Sequence, residues 1–95
     1  MRVSTTLLFA CLALTACAEH RIEADPTFLV LDVQETRYEI NVTTGRPENL
    51  RSDNWHRAMV DKSEFETEVR KGDHVVCHLT ETDAVRVTKC RKSTP

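Results

Sequence analysis

Apolar residues in this chain form one early run and then a series of short stretches that alternate with polar residues. Val3 to Ala16 is largely apolar and stops at Glu19-His20-Arg21-Ile22-Glu23. Residues 18–26 show no apolar period and close on Pro26, which predicts a short polar tether. Thr27 to Val33 is dense in strand formers, with Phe28, Leu29, Val30, Leu31 and Val33 nearly continuous. Such a run suits a strand covered on both faces. Arg37 to Thr43 alternates cleanly, placing Tyr38, Ile40 and Val42 inward and Arg37, Glu39 and Asn41 outward. Inward parity is thus expected to change from odd to even, and Gln34-Glu35-Thr36 is the place to reset it. A bulge there gives one long bent strand, and a turn gives a hairpin.

Gly45-Arg46-Pro47 ends the second strand, and residues 45–55 form a long polar loop in which Pro47 suits the start of a helical turn. His56 to Val60 is a short apolar stretch with Ala58 and Val60 on one face. Ser63 to Val69 alternates again, with Phe65, Thr67 and Val69 against Glu64, Glu66 and Glu68; a helix is the rival because glutamate favours it, but Phe65 and Val69 alone make a thin helical stripe, and a strand is expected. Lys71-Gly72-Asp73 is a turn leading into a hairpin of His74 to Thr80 and Val85 to Cys90. With Asp83-Ala84 as a two-residue loop, Cys77 lies directly opposite Cys90. Facing β-carbons there are about 4.5–5.5 Å apart, close enough to bridge. Asp-Ala is not a favoured two-residue loop, so a longer turn with a bulge is the alternative.

These elements predict an all-β fold, a small antiparallel barrel or sandwich of five to six strands with a disulfide-stapled C-terminal hairpin. Val69-Arg70-Lys71-Gly72-Asp73-His74-Val75 is the kind of turn-into-strand phrase found in small barrels, so an OB-like form is among those open to it.

The first run has the parts of a secretory signal: positive Arg2, an apolar middle and small residues before a cut. It is too short to cross a bilayer, which takes about 20 apolar residues. Leu14-Thr15-Ala16-Cys17 resembles the lipobox of bacterial lipoproteins. That resemblance implies loss of residues 1–16 as a signal peptide and attachment of diacylglycerol to the Cys17 sulfur, with palmitate among the acyl chains. Residues 17–26 are then the lipidated N-terminus and tether, and 27–95 the domain. The rival is an ordinary signal peptide cut near Ala16 or Ala18. Cys11 is the weaker lipidation site, because bulky Phe9 precedes it by two places. One acyl chain anchors only marginally, whereas two or more hold firmly. Ala18 is not the aspartate linked with inner-membrane retention, so the resemblance implies an outer-membrane anchor facing the periplasm or the cell surface.

The formal net charge of −2 argues against a partner that is nucleic acid. Of four cysteines, Cys11 leaves with the signal and Cys17 takes lipid. Cys77 and Cys90 remain, and in an oxidising compartment they are expected to pair.

Candidate chemistry is sparse. His74 and His78 flank Cys77, but on a strand residues four apart are separated by about 13 Å, too far to share a zinc whose ligands sit about 2 Å from it. No nucleophile motif of the Gly-x-Ser-x-Gly kind is present, and neither an enzyme nor a cofactor is expected. Glu64, Glu66 and Glu68 are expected on a solvated face that guards a strand edge. Asn41-Val42-Thr43 fits a glycosylation acceptor only by accident in a bacterial lipoprotein. Arg46, Arg51, Trp55 and Arg57 stand out as partner-binding residues, since Trp and Arg are enriched at binding hot spots. Trp55 has a rival role as the plug of a small core. The expected function is a non-enzymatic lipoprotein that binds another envelope protein as an accessory or inhibitory subunit. One form is a receptor-blocking exclusion lipoprotein of phages or plasmids, similar only in being short, lipidated and singly disulfide-bonded. The alternative is an OB-like binder of oligosaccharide or oligonucleotide.

Overall fold

A computed structural model describes residues 20–93. They form six strands: β1 (Ile22–Ala24), β2 (Thr27–Val33), β3 (Arg37–Thr44), β4 (Arg57–Asp61), β5 (His74–Glu81) and β6 (Val85–Lys92), with one 3-10 turn at Lys62–Glu64. All strand pairs are antiparallel, and the sheet curls into a half-barrel. The all-β expectation and the disulfide-stapled C-terminal hairpin both hold.

β5 is the strand on which the sheet is built. Along one edge it pairs with β6. Along the other it pairs first with β2, His74 facing Leu29, and then with β1, Glu81 facing Ile22. Asp25-Pro26 bridges the two partners. Proline has no N–H to leave unpaired, and the buried Pro26 offers its carbonyl to the Cys77 N–H at 3.2 Å, so the ladder continues past the break. The polar stretch read as a tether is therefore folded from His20 onward. Three residues of it are a strand whose partners had no counterpart in its own pattern.

β2 and β3 form a hairpin over the 34–36 turn, closed by the Gln34 N–H donating to the Arg37 carbonyl at 2.9 Å. Tyr38 and Ile40 are buried as the alternation predicts. The expected odd parity of β2 is corrected. Even-numbered Phe28 and Val30 are the core residues, Leu29 and Leu31 are half-buried, and Val33 is 42% exposed. A continuous apolar run does not mark its own inner face. Pairing with β3 does, and a bulge between Val30 and Asp32 turns the end of β2 outward.

Ser63–Val69 is not a strand, which also corrects the expectation of a carboxylate-lined edge. After Asp61 caps the 3-10 turn by accepting from the Ser63 N–H, the chain crosses toward β6. Phe65 makes an isolated bridge to Cys90, and the Glu66 N–H donates to the Cys90 carbonyl at 3.0 Å. The Glu64 carboxylate accepts from the Lys89 N–H at 3.1 Å, and the Tyr38 hydroxyl accepts from the Val69 N–H at 3.3 Å. Side-chain and single-bridge partners thus replace a ladder. They also cover part of the β6 edge, which the charged Lys89, Arg91 and Lys92 further guard against pairing with another chain.

In the C-terminal hairpin Val76 faces Arg91, but beyond the cysteines the register slips by one, so that His78 faces Thr88 and Glu81 faces Val85. The loop is therefore Thr82-Asp83-Ala84, and the extra residue is taken up at Lys89, whose φ is +51°. This is the longer turn with a bulge, and Cys77 and Cys90 are joined as expected.

The larger core cluster holds Phe28, Val30, Tyr38, Ile40, Val60, Val69, Val75 and the cystine. A smaller one, at the Glu81 end, is made of Ile22, Leu50 and Leu79.

Candidate binding loop

Residues 45–56 leave β3, arch over the Ile22–Leu79 cluster and return as β4. Gly45 starts the arch at φ +81°, where a Cβ would meet Pro26 Cα at 3.2 Å, so a side chain is disfavoured on both counts. Arg46 then holds the arch from within. Its Nε donates to the Trp55 carbonyl at 2.8 Å, and its terminal nitrogens donate to the carbonyls of Pro47, Ser52 and Asp53 at 3.2, 3.1 and 2.8 Å. A guanidinium suits this role because its donors radiate in one plane. The same contacts occupy four of the five N–H donors that make Arg46 attractive as a binding residue.

The arch is pinned at its tip by a carboxylate that the sequence reading passed over. Glu81 is 2% exposed, the single buried charged side chain among the described residues. Its Oε1 accepts from the Arg51 N–H at 2.9 Å and from His20 Nε2 at 2.8 Å, and its Oε2 accepts from the Ser52 N–H at 3.3 Å. A carboxylate this deep needs such partners. The signal for it was the alternation Val75, Cys77, Leu79, whose inward phase continues onto Glu81. The expected strand ends at Thr80, which assigns Glu81 to the turn.

The Arg51 N–H, then the His20 ring, hold the Glu81 carboxyl below its ordinary value of 4.5, against the opposing effect of burial. A group whose folded value is lowered adds stability that is fully present above its unfolded value and lost as pH falls through the folded one. The melting temperature should therefore fall on acidification below about 4.5. Asp61 and Asp73 are lowered too, by the N–H groups of Ser63 and Arg70, and share that limb. Glu81→Gln keeps an acceptor but removes one titration, so its melting curve against pH should be shallower. Equal slopes in the two proteins would contradict the role of Glu81.

Trp55 is half-buried, packs against both core clusters and meets Phe28 edge-on with ring centroids 6.2 Å apart. Arg51 is exposed at the arch tip. Arg57 begins β4 and reaches Glu39 Oε2 at 3.2 Å on the neighbouring strand. The four residues singled out by sequence thus divide. Arg46 is internal, Trp55 faces mainly inward, and Arg51 and Arg57 present their side chains to solvent.

No family model matches the chain, and no curated protein or solved structure is similar to it.

Cys17 lies outside the described residues. His74 is exposed on the outer face of β5, and His78 on the same face sits 3.1 Å from Asp25 Oδ1 and 3.7 Å from Glu23 Oε1. His56 lies beside the arch, its Nδ1 donating to the Asn54 carbonyl at 2.7 Å. Among the described residues no group of three or more His, Cys, Asp or Glu side chains is arranged to hold a metal ion.

Proposed function

We propose that this protein is a non-enzymatic lipoprotein, anchored in the outer membrane through Cys17, that docks onto another envelope protein through the 46–57 loop. One observation carries this reading. The longest loop of the domain is held by Arg46 from inside and by Glu81 from below, so it is ordered before any partner arrives. A loop fixed in advance avoids the ordering cost that weakens flexible interfaces. It offers Arg51 and Arg57 as exposed donors around a tryptophan whose ring is only half-covered. Confinement to a membrane raises the effective concentration of such a module toward its partner. An inhibitory or receptor-blocking role belongs to the same reading. Binding of oligosaccharide or oligonucleotide ranks below it, because Phe28 and Tyr38 are spent in the core and not displayed on a barrel face.

The test is co-purification from detergent-solubilised membranes. Wild-type protein should bring down one stoichiometric envelope protein. Arg51→Ala should melt like wild type, since exposed substitutions usually change stability by less than about 0.5 kcal/mol. It should also lose most of the partner, as a hot spot contributing about 2 kcal/mol or more would. Full partner recovery by Arg51→Ala and by Arg57→Ala, both folded, would remove the loop as the interface.

A further inference from the structure

We infer that the Glu81 end of the half-barrel rests directly on the bilayer surface, with residues 50–54 and the 82–84 turn at the headgroups and the 34–36 turn pointing away. This inference rests on the reading that Cys17 carries the lipid.

The chain meets the domain at that end. β1 runs antiparallel to β5 and places Ile22 opposite Glu81, so His20 stands where β5 finishes. It is fixed there. His20 Nε2 donates to Glu81 Oε1 at 2.8 Å, and the same carboxylate takes the N–H groups of Arg51 and Ser52. One buried side chain therefore ties the start of the domain, the end of β5 and the tip of the arch into a single rigid corner.

Only Ala18 and Glu19 separate Cys17 from His20. Three residue steps of extended chain reach at most about 11 Å. The far end is out of range. β5 alone carries the chain about 23 Å from Glu81 back to His74, and Val33 lies beyond the point where β2 passes His74. A nine-residue polar tether would have let the domain tumble and stand off. With β1 and Pro26 built into the sheet, the lipid instead sets both height and orientation.

The exposed side chains of this end are mixed in sign. Arg51 and Arg86 take part in no ion pair among the described residues, and Asp53 and Asp83 lie nearby. Such a surface tolerates headgroups without being drawn strongly to them, so the lipid supplies the attachment and the corner supplies the angle. A protein that docks on the arch must then present its contact at headgroup height, which fits a membrane-embedded partner better than a free periplasmic one.

Trp55 is the sole tryptophan and reports on the arch directly. The lipidated full-length mature protein is reconstituted into phosphatidylethanolamine–phosphatidylglycerol vesicles carrying a headgroup-nitroxide lipid. Trp55 emission should fall severalfold relative to vesicles without nitroxide. In a Trp55→Phe, Val33→Trp variant the reporter moves to the opposite end, and its emission should barely change. Vesicle-bound lipoprotein in which the Val33→Trp reporter is quenched as strongly as Trp55 overturns the orientation alone. Protein that carries no lipid and stays off the vesicles overturns the anchor as well. Paramagnetic broadening of backbone amides in the unmutated lipoprotein gives the same answer without substitution. Asn54 and Asp83 should broaden while Glu35 and Lys71 stay sharp, and the reverse pattern refutes the inference.

Discussion

Loss of the Cys77–Cys90 disulfide is expected to lower the stability of the domain by on the order of 3 kcal/mol in the chain-entropy picture, for a loop set by its sequence separation of 13. That is a large fraction of what a domain this small has. Such domains bury only about 60% of their unfolded surface and hold a net stability near the low end of about 5–15 kcal/mol. The location adds to the effect. Both cysteines are fully buried in the main cluster, and Cys90 also takes the Phe65 bridge and the Glu66 N–H that hold the 62–66 segment to β6. Freeing β6 therefore loosens the closure of the half-barrel as well as the hairpin. Denaturant unfolding with and without reductant measures this directly. The reduced protein should unfold at a clearly lower midpoint. Coincident curves, or two alkylatable thiols in unreduced protein from its native source, would refute the bridge as a stabilising element.

Trp55→Ala should cost about 3 kcal/mol, the lower part of the range for large aromatic truncations, because the ring is half-buried and not fully enclosed. The ring joins the two core clusters and meets Phe28 edge-on, so its removal opens a gap between Phe28 and the Ile22–Leu50–Leu79 group. For a domain of this size the loss corresponds to a fall in melting temperature of more than about 10 °C. This separates Trp55 from Arg51, whose side chain is exposed and whose truncation should leave melting nearly unchanged. The expected pair of results is a large shift for Trp55→Ala and a negligible one for Arg51→Ala, read by thermal unfolding. A Trp55→Ala protein that melts like wild type would mean that the ring is an interface residue and not a core plug.

The elements that were legible in the chain are those whose alternation states its own inner face. Tyr38 and Ile40 in β3, and Val75, Cys77 and Leu79 in β5, are buried where the period of two puts them. The Cys77–Cys90 pairing was legible too, although its register was reached by a three-residue loop and a bulge at Lys89 instead of a two-residue loop. The inner face of β2 is not legible because the four consecutive apolar residues Phe28, Leu29, Val30 and Leu31 carry no phase, and only the β3 and β5 partners supply one. β1 was missed because three residues with one buried isoleucine have no period at all; its strand character comes from the unoccupied half of the β5 edge. Ser63–Val69 alternates like a strand, but it meets the β6 edge only at the single Phe65–Cys90 bridge, and its other contacts run through the Glu64 carboxylate and the Tyr38 hydroxyl. Residues 45–56 do form the expected long loop, yet the division of labour inside it depends on Glu81, thirty residues from Arg51 in the chain, which composition could not connect to it.

The proposed anchor at Cys17 underlies the docking reading and the orientation on the bilayer alike, and the mature N-terminus decides it. Intact mass and N-terminal peptide analysis of the protein purified from its native membrane should find Cys17 as the first residue, carrying diacylglycerol, with residues 1–16 gone. Palmitate labelling and membrane association should both vanish in Cys17→Ser. A mature chain that starts at or after Ala18 without lipid, or labelling that survives Cys17→Ser, would contradict it.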